Sequence, residues 1–187
     1  LAATVRPMSE ERLGGGALIV GALAFILTMA MHPTGHELVE PGRFEVMARV
    51  AVGAHALALA SLAASCLGTL VLTRRLGAPL ALGALVVYVF AAVAGMAAAV
   101  VSGFVAPELV GEMLGAEPAA RDFWDRLLEF NHLLNQAFAR VFVVGASAAV
   151  ALWSAALLGS SAFARWIGFY GLCVGPLTIL ALLTRHV

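Results

Sequence analysis

Five long apolar runs limit what this chain can fold into. They cover residues 13–31, 46–72, 80–106, 133–158 and 166–183. Crossing a hydrocarbon core about 30 Å thick takes about 20 helical residues. No water in that core pairs with free backbone N–H and C=O groups, so a spanning segment is either a helix or a strand of a closed barrel. Barrel strands alternate in polarity over about ten residues, and nothing here alternates. The chain therefore predicts an all-α fold: one integral membrane domain over residues 1–187, a polytopic transmembrane bundle of five spanning helices. Composition agrees. Residues are 62% hydrophobic and 12% charged, against about 25% charged in soluble domains. The formal net charge is zero, so no basic surface for nucleic acid is implied. The partner implied first is the lipid bilayer.

The connections differ in length. Residues 73–79 form a tight turn, with Gly77 for the bend and Pro79 opening the next helix. Residues 159–165 are equally short. Residues 32–45 carry Pro33, Gly35, Pro41 and Gly42 and predict an ordered loop. Pro107 is the expected stop of the third span. Beyond it, residues 118–130 predict a separate short amphipathic interfacial helix, with Ala120, Phe123, Trp124 and Leu127 on one face. Arg121 with Asp125 and Asp122 with Arg126 form i,i+4 pairs on the other. Its plainer role is a lid on the bundle; the sharper one is a partner-binding helix.

Arg6, Arg12, Arg74, Arg75 and Arg165 cluster near the short loops, which places that side and the N-terminus in the cytoplasm of a bacterial inner membrane. The two long loops then face outward. Five spans leave Arg185 and His186 outside, where a sixth helix would be no surprise. Small residues recur along the second, third and fifth spans, where backbones in lipid need close approach. Cys66 and Cys173 lie within apolar runs and read as small hydrophobes.

The polar exceptions carry what chemistry there is. Asn131, His132, Asn135, Gln136 and Arg140 lead into the fourth span. His132, Gln136 and Arg140 share one line at spacings of four, and Asn131 and Asn135 a neighbouring one, so this face is expected to look inward. An arginine at a helix centre costs about 2.5–3.5 kcal/mol on insertion scales, and Arg140 is expected to meet Glu129, Glu45, a backbone carbonyl or an anionic ligand. His32 and His36 follow the first span beside Glu37, and His55 lies about a third of the way down the second. Together with His132 these histidines are candidate ligands for a transition metal or, through His55 and His132, for a haem. The bland alternative is hydrogen-bonded structural histidines. No HExxH, GxSxG or phosphate loop is present.

The segment His32-Pro33-Thr34-Gly35-His36-Glu37, His55 in the second span and Leu134-Asn135-Gln136-Ala137-Phe138-Ala139-Arg140 in the fourth resemble a group of uncharacterised bacterial multi-pass membrane proteins, domains of unknown function. The resemblance implies an α-helical inner-membrane protein and brings no activity or ligand with it. The expected function is non-enzymatic: binding a ligand or partner through Glu37, Asn131, Asn135, Gln136 and Arg140. The protein would act alone, as a homo-oligomer or as an accessory subunit of a larger membrane complex. The rivals are a metal- or haem-binding protein and a small transporter with Arg140 and His55 on its path.

Overall fold

The computed structural model describes residues 9–33, 35–40 and 42–184. Arg6, Thr34, Pro41, Arg185 and His186 lie outside the described residues, as does the side chain of His36. Helices account for nearly all of the described chain: α1 (Glu10–Met31), the short α2 (Gly35–Leu38), α3 (Phe44–Leu76), α4 (Pro79–Val100), a π turn (Val101–Val105), α5 (Ala106–Gly115), α6 (Pro118–Leu158) and α7 (Arg165–Thr184). Five helical segments are long and apolar enough to cross a membrane, with α4, the π turn and α5 acting as one.

Local chemistry sets the helix ends. Ser9 caps α1 by accepting from the Arg12 backbone N–H, and Glu10 and Glu11 occupy the electropositive first turn. α3 stops at Gly77, whose φ of 60° is left-handed and whose N–H donates to the Thr73 carbonyl. Pro79 then starts α4, where no N–H is needed.

Two boundaries differ from the sequence expectation. Pro107 does not stop the third span. The helix loosens into a π turn, where the Ala106 N–H donates five residues back to the Val101 carbonyl, and continues as α5 to Gly115. Residues 118–130 are not a separate interfacial helix either. They are the first turns of α6, one continuous helix of 41 residues. No Pro or Gly interrupts the chain between Pro118 and Gly145, so nothing breaks the hydrogen-bond ladder.

The spanning helices pack as a row in chain order: α1 on α3, α3 on α4, α4 on α6, α6 on α7. The α1–α3 seam is tight because Gly14, Gly21 and Gly68 leave room where a Cβ would strike Val71, Ser65 and Leu18. Ser61 Oγ donates to the Gly21 carbonyl across it at 2.7 Å. Gly168, Gly171 and Gly175 do the same for α7 on α6. These contacts replace the hydrophobic drive that lipid removes.

The ends of α1, α3, α4 and α6 opposite the π turn lie at one level. Arg74 pairs with Glu10 at 3.0 Å and Arg75 pairs with Glu11. Trp153 Nε1 donates to Thr73 Oγ1 at 3.0 Å, and that hydroxyl donates to the Ala81 carbonyl. Counting about 20 residues from this level, at about 1.5 Å each, crosses the hydrocarbon. The count reaches the end of α1, His55 in α3, the start of the π turn after α4, and the neighbourhood of Phe138 in α6. The extra turns of α3, α5 and α6 therefore stand beyond the hydrocarbon, at the same end.

Candidate functional site

A cavity of about 420 Å³ lies at that end. Five elements build it. The exit of α1 supplies His32 and Pro33, α2 supplies Leu38 and Val39, and α3 supplies Ala51 and His55. The π turn and α5 supply Ser102, Ala106 and Val110, and α6 supplies Leu128, Asn131, His132, Asn135 and Gln136. Its floor is apolar, since Leu38, Ala51 and Val110 form a buried cluster. Its walls are polar, and no ionisable side chain other than histidine lines it among the described residues.

The π turn makes this geometry. It carries Gly103, and any Cβ there would collide with the Cβ and ring of His55. Glycine thus lets α3 approach the turn until His55 is 5% exposed. Asn131, also buried, holds the turn from the other side: its Nδ2 donates to the Val101 carbonyl at 3.4 Å. π turns of this kind recur at functional sites.

Both histidines nearest the turn are held in one tautomer. His55 Nδ1 lies 2.7 Å from the Ala51 carbonyl, and His32 Nδ1 lies 2.9 Å from the Pro33 carbonyl. A carbonyl only accepts, so each Nδ1 carries the proton and, in the neutral ring, each Nε2 keeps its lone pair. The two rings meet edge to face with centroids 4.8 Å apart. Among the described residues, no buried side-chain nitrogen or oxygen is sealed away without a partner. Among the described residues, no hydrogen bond is made by His55 Nε2, the Asn135 and Gln136 amides or Ser102 Oγ, and none of these residues is exposed. Their polar atoms therefore keep contact with open space, and the cavity they line is that space.

The residues expected at a site divide into two sets. His32, His55, Asn131, His132, Asn135 and Gln136 line one cavity. Arg140 does not. It is exposed on α6 and forms no ion pair among the described residues, so the expected inward direction of its face fails at that position. α6 begins far before residue 133, so the residue count puts Arg140 near the edge of the hydrocarbon, from which an arginine can snorkel to the head groups. On α3 the same count of about 20 residues ends near His55, nearer the boundary than the third of the way down expected from sequence. Glu37 is half-buried on α2 with a polar partner of its own, outside the lining. Sequence reasoning places Ser102 and Gly103 only in the small-residue packing stripe of the third span, whereas Ser102 lines the cavity and Gly103 admits His55. Pro107, a few residues after this pair inside an apolar helix, was the available signal for a π turn.

As to cofactors, no group of three or more His, Cys, Asp or Glu residues is placed to hold a metal ion among the described residues.

Two other hollows are less selective. A shallower one of about 620 Å³ between α3 and α5 carries Glu45, Arg49, Glu108 and Glu112, all exposed. A cleft of about 410 Å³ walled by α1, α3, α4 and α6 lies within the spans and is mainly apolar. No family model, curated protein or solved structure matches the chain.

Proposed function

We propose that this chain is a small multi-pass protein of a bacterial inner membrane that binds a neutral ligand in the cavity beside the π turn, on the outer side. One observation carries the reading. A cavity of ligand size, about 300–1,000 Å³ being usual, presents an imidazole nitrogen, two amides and a hydroxyl, none of them used by the protein. Polar groups left open in a structure that pairs its other buried polar groups are placed for something else to pair with. The role is binding rather than catalysis, because among the described residues the lining holds no carboxylate pair and no nucleophile with an oriented base. Anionic ligands are disfavoured: Arg140 lies outside the lining, and a buried charge without a counter-charge is costly. The same absence weakens the transport reading that ran through Arg140. The row of helices leaves α1 and α7 at its edges, which suits an accessory subunit that docks on a larger membrane complex.

The test is to purify the protein in mild detergent from its native membranes and analyse the retained small molecules by mass spectrometry. One neutral compound is expected at near-stoichiometric amount, and Ser102→Leu, which fills the cavity, is expected to expel it. Retention of nothing, or equal retention by the variant, would refute the reading. A stoichiometric transition metal lost in His55→Phe would replace it with the metal-binding alternative, which the tautomer locks on His32 and His55 favour.

A further inference from the structure

The chemistry of the open atoms narrows the ligand class. We infer that the cavity takes the head of a membrane-dissolved quinol, a flat neutral ring bearing hydroxyl groups, and favours it over the oxidised quinone. The inference rests on the cavity being a ligand site at all.

Four features of the cavity point to this class. His55 lines the cavity and is nineteen-twentieths buried; its Nδ1 is committed to the Ala51 carbonyl, and its Nε2, without a hydrogen bond among the described residues, remains an acceptor. His32 carries the same lock at the rim. Paired acceptors select a ligand that donates, which a quinol hydroxyl does and a quinone carbonyl does not. Across from them, the Asn135 and Gln136 amides both donate and accept, so a second hydroxyl on the same ring has a partner. The lining holds three imidazoles, His32, His55 and His132, and flat rings pack well on such rings edge to face. Finally, the cavity lies at the hydrocarbon boundary, and His32, Val39 and His132 on its lining are exposed. A ligand with a polar head at that level and an apolar tail in the bilayer arrives laterally, without crossing water.

The discrimination is sharp because a site built to pair with a hydroxyl rejects the analogue that lacks it. The open acceptors are then left facing a ligand that offers them no hydrogen. An ionic head group is disfavoured on the same ground as before: among the described residues the lining holds no carboxylate and no arginine.

The experiment is anaerobic titration calorimetry on the purified protein, emptied of native ligand, with three probes: a short-tailed benzoquinol, the matching benzoquinone and the quinol dimethyl ether. The quinol is expected to bind at least about tenfold more tightly than either analogue, in line with the loss of one to two hydrogen bonds. His55→Phe is expected to weaken quinol binding by at least about tenfold. That ring keeps the volume, and the Ala51 carbonyl still receives its helical hydrogen bond. Gln136→Leu, at a half-buried position, serves as a second variant should His55→Phe fail to fold. Equal binding of quinol and quinone, equal binding of the ether, or no quinol binding would overturn the inference. If Ser102→Leu still expels a native compound while no quinol binds, the cavity stands as a ligand site and only the quinol assignment falls. If Ser102→Leu changes nothing that is retained, both fall.

Discussion

The two ends of the helix row are built on opposite principles. At the end that joins Glu10, Arg75, Pro79 and Leu158, polar groups are consumed. Trp153 bonds Thr73, Thr73 bonds the Ala81 carbonyl, and Arg74 and Arg75 pair with Glu10 and Glu11. Alanines fill the space between helices, with Ala81, Ala84, Ala149 and Ala156 around Tyr88 and Trp153. At the other end helices of different lengths overrun the hydrocarbon, a π turn spreads the packing, and several polar side chains stay open around a cavity. A bundle in lipid associates by close backbone approach and hydrogen bonds. Spending them at one end frees the other to hold unpaired groups, which is where a ligand-binding function would be affordable in stability terms.

The largest test of this contrast is Gly103→Val. Its branched side chain collides with His55 and forces α3 off the π turn. Overpacking of this sort costs about 3 kcal/mol, and a fall in thermal midpoint with loss of the bound ligand is expected. A variant as stable as the parent, with ligand retained, would mean that the close approach does not form the site. Trp153→Phe addresses the opposite end. It removes one buried hydrogen bond, worth about 1 kcal/mol, because the Thr73 hydroxyl still has the Ala81 carbonyl to donate to. Stability is expected to drop by about that amount while ligand content stays the same; loss of ligand would show that the ends are coupled. Arg140→Gln is expected to do least. The side chain is exposed at the boundary, so binding is expected to be unchanged and stability to shift by under about 1 kcal/mol. A severe loss of binding would return Arg140 to the site.

Much of the architecture was legible beforehand, because hydropathy over about 20 residues reports directly on the solvent that a helix must face. All five spans read from the sequence fall within helices long and apolar enough to cross a membrane. The clustering of His32, His55, His132, Asn131, Asn135 and Gln136 at one end also followed from placing each on its helix. What failed was depth and continuity. Pro107 signals a break when read locally, yet the π turn and the Asn131 side chain keep the helix running. Those partners come from tertiary contact, which no local window contains. With the span starting near residue 133, Arg140 falls about 10 Å in at about 1.5 Å per residue, and its line with His132 and Gln136 puts it on an inward face. With the full helix in place the residue count moves it towards the boundary, and its side chain is exposed outside the cavity lining.

The central claim is that one end of the row is open to polar molecules and the other is sealed. The most direct measurement is cysteine accessibility on a background in which Cys66 and Cys173 are alanine. Gln136→Cys reports the cavity, and Thr73→Cys reports the sealed end, where the native hydroxyl accepts from Trp153 and donates to the Ala81 carbonyl. With a membrane-impermeant thiol reagent on protein emptied of ligand, position 136 is expected to react at least about tenfold faster than position 73, since reaction tracks exposure of the thiol. Equal rates at the two positions would contradict the account.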